Sequence, residues 1–168
     1  MKRKKLGKKN TSLCLFGIYL FILVWTVLFK GQLSLDKIVR YHNINLIPFE
    51  GSIRINGKID YLEIFANVFV FIPLGLFLSE QKQFRFVQML VLIIGISVTI
   101  EVLQYIMWIG VTDITDVIGN TIGGIIGIGI YQFISCKVKD STTKIVNMLG
   151  FLFVISVFMI IVLLQTGI

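Results

Sequence analysis

Long apolar runs separated by short polar segments form the main pattern of the chain. An α-helix needs about 20 apolar residues to cross about 30 Å of hydrocarbon at 1.5 Å per residue. Five runs come close to that length: Leu13 to Phe29, Tyr61 to Leu78, Phe86 to Ile109, Asp116 to Ile134, and Ile145 to Leu164. The pattern therefore predicts an all-α fold, a polytopic transmembrane helical bundle.

Composition agrees with this prediction. The chain is 56% hydrophobic and 15% charged, whereas soluble domains carry roughly 25% charged residues. Five spans in 168 residues leave no room for a separate soluble domain. We therefore predict a basic tail over residues 1–12 and one transmembrane domain over residues 13–168, with an outer loop over residues 30–60.

The distribution of basic residues predicts the orientation. Six of them precede the first apolar run: Lys2, Arg3, Lys4, Lys5, Lys8 and Lys9. The connections that follow the second and fourth spans hold five more, whereas the opposite side carries five, all in loop 30–60. Because cytoplasmic loops are enriched in Lys and Arg, we expect a cytoplasmic N-terminus, an uncleaved signal anchor and an outside C-terminus. The net charge of +7 is thus a topology signal, and we expect no nucleic-acid partner.

Polar residues interrupt the third and fourth spans. Ser97, Glu101, Gln104 and Trp108 recur at steps of four, three and four, which places them on one helical face. Glu101 would lie roughly 10 Å below the outer end of its helix. A charged group in the middle of a span costs about 2.5–3.5 kcal/mol when it faces lipid, so this face is expected to point into the bundle.

Two neighbouring spans offer matching polar residues at the same level. Asp113, Asp116 and Asn120 share a face at the start of the fourth span, and Asn67 follows Glu63 by one turn in the second. The candidates for a polar pocket open to the outer surface are Asn67, Glu101, Gln104, Asp113, Asp116 and Asn120. Two simpler roles remain open: Asp113 would cap the fourth helix, and the amides would form interhelical hydrogen bonds.

The fourth span also carries glycines at every fourth position. Gly119, Gly123 and Gly127 would form a groove that lets a neighbouring helix backbone approach closely. We interpret this groove as a packing seam, because the segment has no phosphate-loop lysine. Its expected consequence is to hold Asp116 and Asn120 against Glu101.

The outer loop alternates apolar and polar residues over NLIPFEGSIRING, around Pro48. This pattern favours an element at the lipid surface, a partly re-entrant segment or a short hairpin. Asn45, Pro48 and Arg54 are the candidate functional residues of this loop. We expect His42 to be solvated, no cofactor and no metal site.

Four motifs occur in a characteristic order: NLIPF from Asn45, NVFVFIPLG from Asn67, IEVLQ from Ile100, and DITDVIGNTIGGIIG from Asp113. Together they resemble the VanZ-like family of small bacterial membrane proteins, over residues 43–134. The family pattern has an Arg before the acidic pair and a third Asp within it. This chain has Val111 or Thr112 and Thr115 at those places, so a cation would have to come from Arg40 or Arg54.

The resemblance implies a multi-pass protein of the bacterial plasma membrane, in a family linked with low-level resistance to teicoplanin, a lipid-tailed glycopeptide antibiotic. The first hypothesis is a non-enzymatic envelope protein whose outer-leaflet pocket binds a lipid or an antibiotic tail. The second is an intramembrane enzyme acting on a lipid-linked precursor, with Glu101 as general base and Asp113 and Asp116 holding a cation. The third is a small transporter subunit that uses Glu101. Membrane lipids are the expected partners, and the glycine seam leaves a homo-oligomer open.

Overall fold

The structure is a computed structural model that describes residues 2–29, 43–49, 61–109, 111–139 and 141–166. Its elements are α1 (Lys2–Leu28), β1 (Asn43–Asn45), α2 (Tyr61–Glu80), α3 (Phe86–Met107), β2 (Val111–Asp113), α4 (Ile114–Lys137) and α5 (Thr142–Thr166). Loop candidate Arg54 lies outside the described residues, as do Arg40 and His42.

Five helices in the described part of the chain are long and apolar enough to cross a membrane. The predicted all-α bundle is thereby confirmed, and all five predicted spans coincide with helices. In hydrocarbon a chain must satisfy its backbone groups internally, and a helix does so within one segment. Helix α1 begins at Lys2, so it includes most of the basic tail, for which the apolar pattern alone predicts no helix.

Side-chain hydrogen bonds connect helix ends in the order that an alternating bundle requires. Ser12, at the start of the apolar part of α1, donates to the carboxylate of Glu80 at the end of α2. At the opposite end of the bundle, Gln104 near the end of α3 donates to the carbonyl of Val27 at the end of α1. Helices α1 and α3 therefore run in the same direction, and α2 runs against α1.

A short parallel ribbon joins the two connections at one end of the bundle. Strand β1 pairs with β2 in a register that sets Asn43 opposite Val111 and Asn45 opposite Asp113. Because β2 connects α3 to α4, the described part of loop 30–60 lies on the same side as that connection. We call this end of the bundle the outer end, after the side that the charge pattern predicts.

Helices α2 and α4 form the tightest contact of the bundle, along the predicted glycine seam. A Cβ on Gly123 would lie 2.1 Å from the carbonyl oxygen of Val68, and one on Gly75 would lie 2.0 Å from that of Gly124. Gly119 also faces α2, with ordinary contact distances to Asn67. The seam therefore exists, but it faces α2 and sets the position of Asp116 relative to Asn67.

The apolar core includes residues of all five helices, and its largest buried side chains lie on α1 and α2. Tyr19, Leu23, Phe71 and Phe77 are fully buried, and the Tyr19 hydroxyl donates to the Val70 carbonyl at 2.8 Å. Such a bond satisfies a phenol that would otherwise be buried without a partner. Helix α1 is thus fixed against α2 by both apolar packing and a hydrogen bond.

Helix α3 ends earlier than the polar spacing predicts. Its last helical residue is Met107, and Trp108 adopts the left-handed conformation with φ of 59°. Ser97, Glu101 and Gln104 are buried as expected, but Trp108 is 52% exposed. Trp108 therefore does not continue the helical face that its spacing predicted, because the chain leaves the helix one residue before the face repeats.

Candidate functional site

The N-terminus of α4 is organised by the carboxylate of Asp113. One oxygen, Oδ1, accepts a hydrogen bond from the Thr115 backbone N–H at 2.8 Å, the usual geometry of an N-cap. The other, Oδ2, accepts from the side-chain amide of Asn45 at 3.1 Å. Asp113 is buried, so both of its oxygens are used to join α4 and the outer loop.

Glu101 connects α3 to the same junction. Its Oε2 accepts from the backbone N–H of Asp113 at 3.0 Å, and its backbone carbonyl accepts from the Thr112 hydroxyl at 3.2 Å. The side chain is 3% exposed. It lies about 9 Å inside the outer end of α3, at 1.5 Å per residue. Glu101 therefore contributes a buried carboxylate that also stabilises the start of α4.

Asp116 faces the seam between α2 and α4. Its Oδ1 accepts from the side-chain amide of Asn67 at 2.7 Å, and Asp116 itself is buried. The short helix separation at Gly119 and Gly123 brings the two side chains within reach. The sequence predicted the two residues at one level, and the structure shows the bond that connects them.

A second polar contact lies deeper, between α3 and α4. The side-chain amide of Asn120 donates to the Ser97 hydroxyl at 2.8 Å, and both residues are fully buried. Within the described residues, Oδ1 of Asn120 has no hydrogen-bond partner. Asn120 thus belongs to a helix-packing contact below the acidic residues.

Gln104 contacts α1. Its Nε2 donates to the carbonyl of Val27 at 3.0 Å and more weakly to that of Leu28 at 3.5 Å. These are carbonyls of the last turn of α1, which have no partner within the helix. The predicted burial of Gln104 is therefore observed, and its described bonds hold the outer ends of α1 and α3 together.

We expect Gln104→Met to lower the free energy of unfolding by about 1 kcal/mol, the size of an interhelical hydrogen bond in a membrane protein. Methionine keeps the length of the side chain but cannot donate to the α1 carbonyls. Thermal unfolding in detergent measures the loss, with Gln132→Met, at an exposed position of α4, as the matched control. Equal midpoints for the two variants would show that the contact adds no stability.

Residues from α2, α3, α4 and the outer loop thus meet at one level. We define the outer polar cluster as Asn45, Asn67, Glu101, Asp113, Thr115 and Asp116. Thr115 was not among the predicted residues, and its Oγ accepts from the backbone N–H of Phe49 at 2.9 Å. Pro48 lies in the exposed turn just before Phe49. No group of three or more His, Cys, Asp or Glu that could hold a metal ion occurs in the described part of the chain.

A shallow, open apolar groove runs along α2 at the same end of the bundle as this cluster. It is lined by largely exposed apolar residues, all on α2: Leu62, Phe65, Ala66, Val68, Phe69 and Ile72. Asn67 lies within this stretch of α2 but points to the seam, where it contacts Asp116. This segment of α2 therefore carries an apolar groove on one face and contacts the carboxylate of Asp116 from another.

Comparisons with known proteins identify the family. The VanZ/LLP1 family profile matches residues 16–135. The chain belongs to the VanZ family. Protein VanZ of Enterococcus faecium is 40% identical over 126 residues, which cover 73% of this chain and 74% of that protein. No solved structure matches the chain. The profile covers the second half of α1, both strands, α2, α3 and all but the last two residues of α4, so the whole outer polar cluster lies in the VanZ region.

Proposed function

We propose that this VanZ-family protein acts in the bacterial plasma membrane and lowers susceptibility to teicoplanin-type lipoglycopeptides without catalysing a reaction. The observation that carries the proposal is the outer polar cluster, in which Glu101, Asp113 and Asp116 bury three carboxylates at the outer end of the bundle, where α2 also carries an exposed apolar groove. Such a pair of surfaces fits an amphiphile with a polar body and an acyl chain. The outer end of the bundle is where this amphiphile would arrive.

The groove suits the acyl part of the ligand. Its lining is entirely aliphatic and aromatic. Burying apolar area contributes about 25 cal/mol per Å², although a tail leaving lipid for this groove gains less, because lipid is itself apolar. The polar cluster therefore has to supply the selectivity.

The carboxylates suit the polar part. Asp113 and Asp116 lie at the N-terminus of α4, and they are buried, as Glu101 is. Charged groups inside a membrane protein are costly, and they mark functional sites more often than apolar positions do. We infer that their negative charge is required for function in addition to the hydrogen bonds they accept.

The experiment measures teicoplanin susceptibility of a sensitive host that expresses wild type, Glu101→Gln or Asp116→Asn at matched membrane levels. Both substitutions keep an acceptor oxygen for the bonded N–H, of Asp113 or of the Asn67 side chain, but remove the charge. We expect wild type to raise the inhibitory concentration of teicoplanin and each variant to lose most of that increase. Vancomycin, which has no lipid tail, should show little change.

Glu80→Gln is the matched control. Glu80 is also a carboxylate that accepts a hydrogen bond, from Ser12, but it lies at the opposite end of the bundle. It should behave as wild type. If all three variants keep the full increase, the charges have no part in the phenotype. A phenotype that disappears when a chelator is added would instead favour metal-assisted chemistry on a lipid-linked precursor.

A further inference from the structure

The turn that follows β1 displays a group of large apolar side chains. Leu46 is 73% exposed, Ile47 60% and Phe49 47%, with exposed Pro48 between them. Contiguous exposed apolar residues of this size are uncommon on a surface that meets only water, and they mark membrane or protein contacts. The outer polar cluster and the groove of α2 make no use of these three side chains.

The backbone of the turn is held in place from below. Ile47 donates its N–H to Oδ1 of Asn45 at 3.2 Å, and Phe49 donates its N–H to the hydroxyl of buried Thr115 at 2.9 Å. Phe49 has φ of 66°, a left-handed conformation that a bulky residue adopts only when its surroundings impose it. Polar backbone groups thus face the bundle while the apolar side chains project outward.

The position of the turn places these side chains at the membrane boundary. Strand β1 pairs with β2, which begins three residues after Trp108 at the end of α3. Trp108 is 52% and Ile106 64% exposed, as expected where a spanning helix reaches the headgroup level. The apolar turn therefore extends a surface that the end of α3 already presents to lipid.

We propose that Leu46, Ile47 and Phe49 insert into the outer leaflet, at the boundary between headgroups and acyl chains. The partner of this surface is the lipid bilayer, because the turn continues the lipid-facing surface of the helices at the same level. Insertion fixes the depth of the outer loop and, through Asn45 and Thr115, connects lipid contact to the start of α4. The inference does not depend on the proposed function.

The test uses single cysteines at positions 46 and 47, introduced as Leu46→Cys and Ile47→Cys after Cys14 and Cys136 are replaced by serine. Each is spin-labelled in the full chain, which is reconstituted in phosphatidylcholine and phosphatidylglycerol vesicles. The measurement compares collision with oxygen, which concentrates in lipid, and with a water-soluble nickel chelate. Asn43→Cys, at an exposed polar position of β1, the strand that precedes the turn, is the matched control.

We expect the ratio of oxygen to nickel collision at positions 46 and 47 to be several-fold higher than at position 43. Equal ratios, with nickel readily reaching all three labels, would place the turn in water and overturn the proposal. Low collision with both reagents would also overturn it, because the turn would then lie in a protein contact.

A second variant covers the case in which the labelled chains do not fold. Leu46→Trp, made after Trp25 and Trp108 are replaced by phenylalanine, reports the same position by fluorescence. Quenching by lipids brominated near the headgroup end of the acyl chain should exceed quenching by acrylamide in water. Stronger quenching by acrylamide would contradict insertion.

Discussion

Replacing Gly127 with alanine is expected to prevent accumulation of the folded protein. The added Cβ would lie 2.0 Å from the carbonyl oxygen of Ile72 and 3.0 Å from the backbone nitrogen of Leu76. Both obstacles are main-chain atoms of α2, so a change of side-chain rotamer cannot relieve them. Overpacking usually costs 1–3 kcal/mol, and here, where two helices must separate, we expect more than about 3 kcal/mol.

Gly129→Ala is the matched control, because a Cβ at Gly129 meets no atom within 4 Å. Helix propensity favours alanine over glycine by about 1 kcal/mol, so this variant should be as stable as wild type or slightly more stable. Membrane accumulation and the thermal unfolding midpoint in detergent measure both variants. Similar midpoints for Gly127→Ala and Gly129→Ala would mean that α2 and α4 are not in backbone contact.

Asp113→Ala is expected to lower the free energy of unfolding by about 2 kcal/mol. The loss of an N-cap costs about 1 kcal/mol, and the loss of a second hydrogen bond, here from Asn45, costs about 1 kcal/mol more. Because Asn45 belongs to β1, the substitution should also loosen the pairing of β1 with β2. Hydrogen exchange of the β1 amides should therefore rise together with the loss of stability.

Exchanging the residues at positions 45 and 113 distinguishes the loss of their specific hydrogen bond from a general effect of removing a charge. Asp113→Asn keeps an oxygen that can cap α4, but it places the new side-chain NH2 against the side-chain NH2 of Asn45. It should therefore also lower the free energy of unfolding. Adding Asn45→Asp restores one donor and one acceptor with the partners exchanged, and most of the lost stability should return. If the double variant is less stable than Asp113→Asn alone, the contact between these two side chains is not the reason for the effect.

The fold could be predicted from the sequence to the level of its five helices. Span length and apolar content suffice for this, since hydrocarbon permits few alternatives to a helix. The tight pairing of α2 with α4 was not predicted. Glycine spacing in α4 predicts that some helix approaches, but the matching position, Gly75, is a single glycine beside Pro73 and has no repeat to identify it.

The site could be predicted in its residue types and level but not in its contacts. Helical spacing placed Glu101 and Asp116 inside the bundle, and the start of α4 suggested the Asp113 cap. The pairing of Asn45 with Asp113 joins residues far apart in the chain through strands of three residues each, too short to show an alternating pattern. Gln104 shared the face of Glu101, and only the position of α1 determines that it donates to Val27.

Burial of the polar residues changes the meaning of the candidate site. The sequence suggested a polar pocket, whereas the described side chains bond to one another and the apolar groove lies on another face of α2. A structural role for the hydrogen bonds and a functional role for the charges are compatible, because each carboxylate offers more acceptor capacity than one N–H uses. Isosteric amide variants separate the two roles.

The most direct measurement is the binding of labelled teicoplanin to susceptible cells that express wild type, Glu101→Gln, Asp116→Asn or Glu80→Gln at matched membrane levels. Labelled vancomycin serves as the second ligand. We predict that wild type and Glu80→Gln lower teicoplanin binding relative to cells without the protein, while Glu101→Gln and Asp116→Asn restore it and vancomycin binding stays constant. Equal teicoplanin binding with and without the wild-type protein would contradict the account.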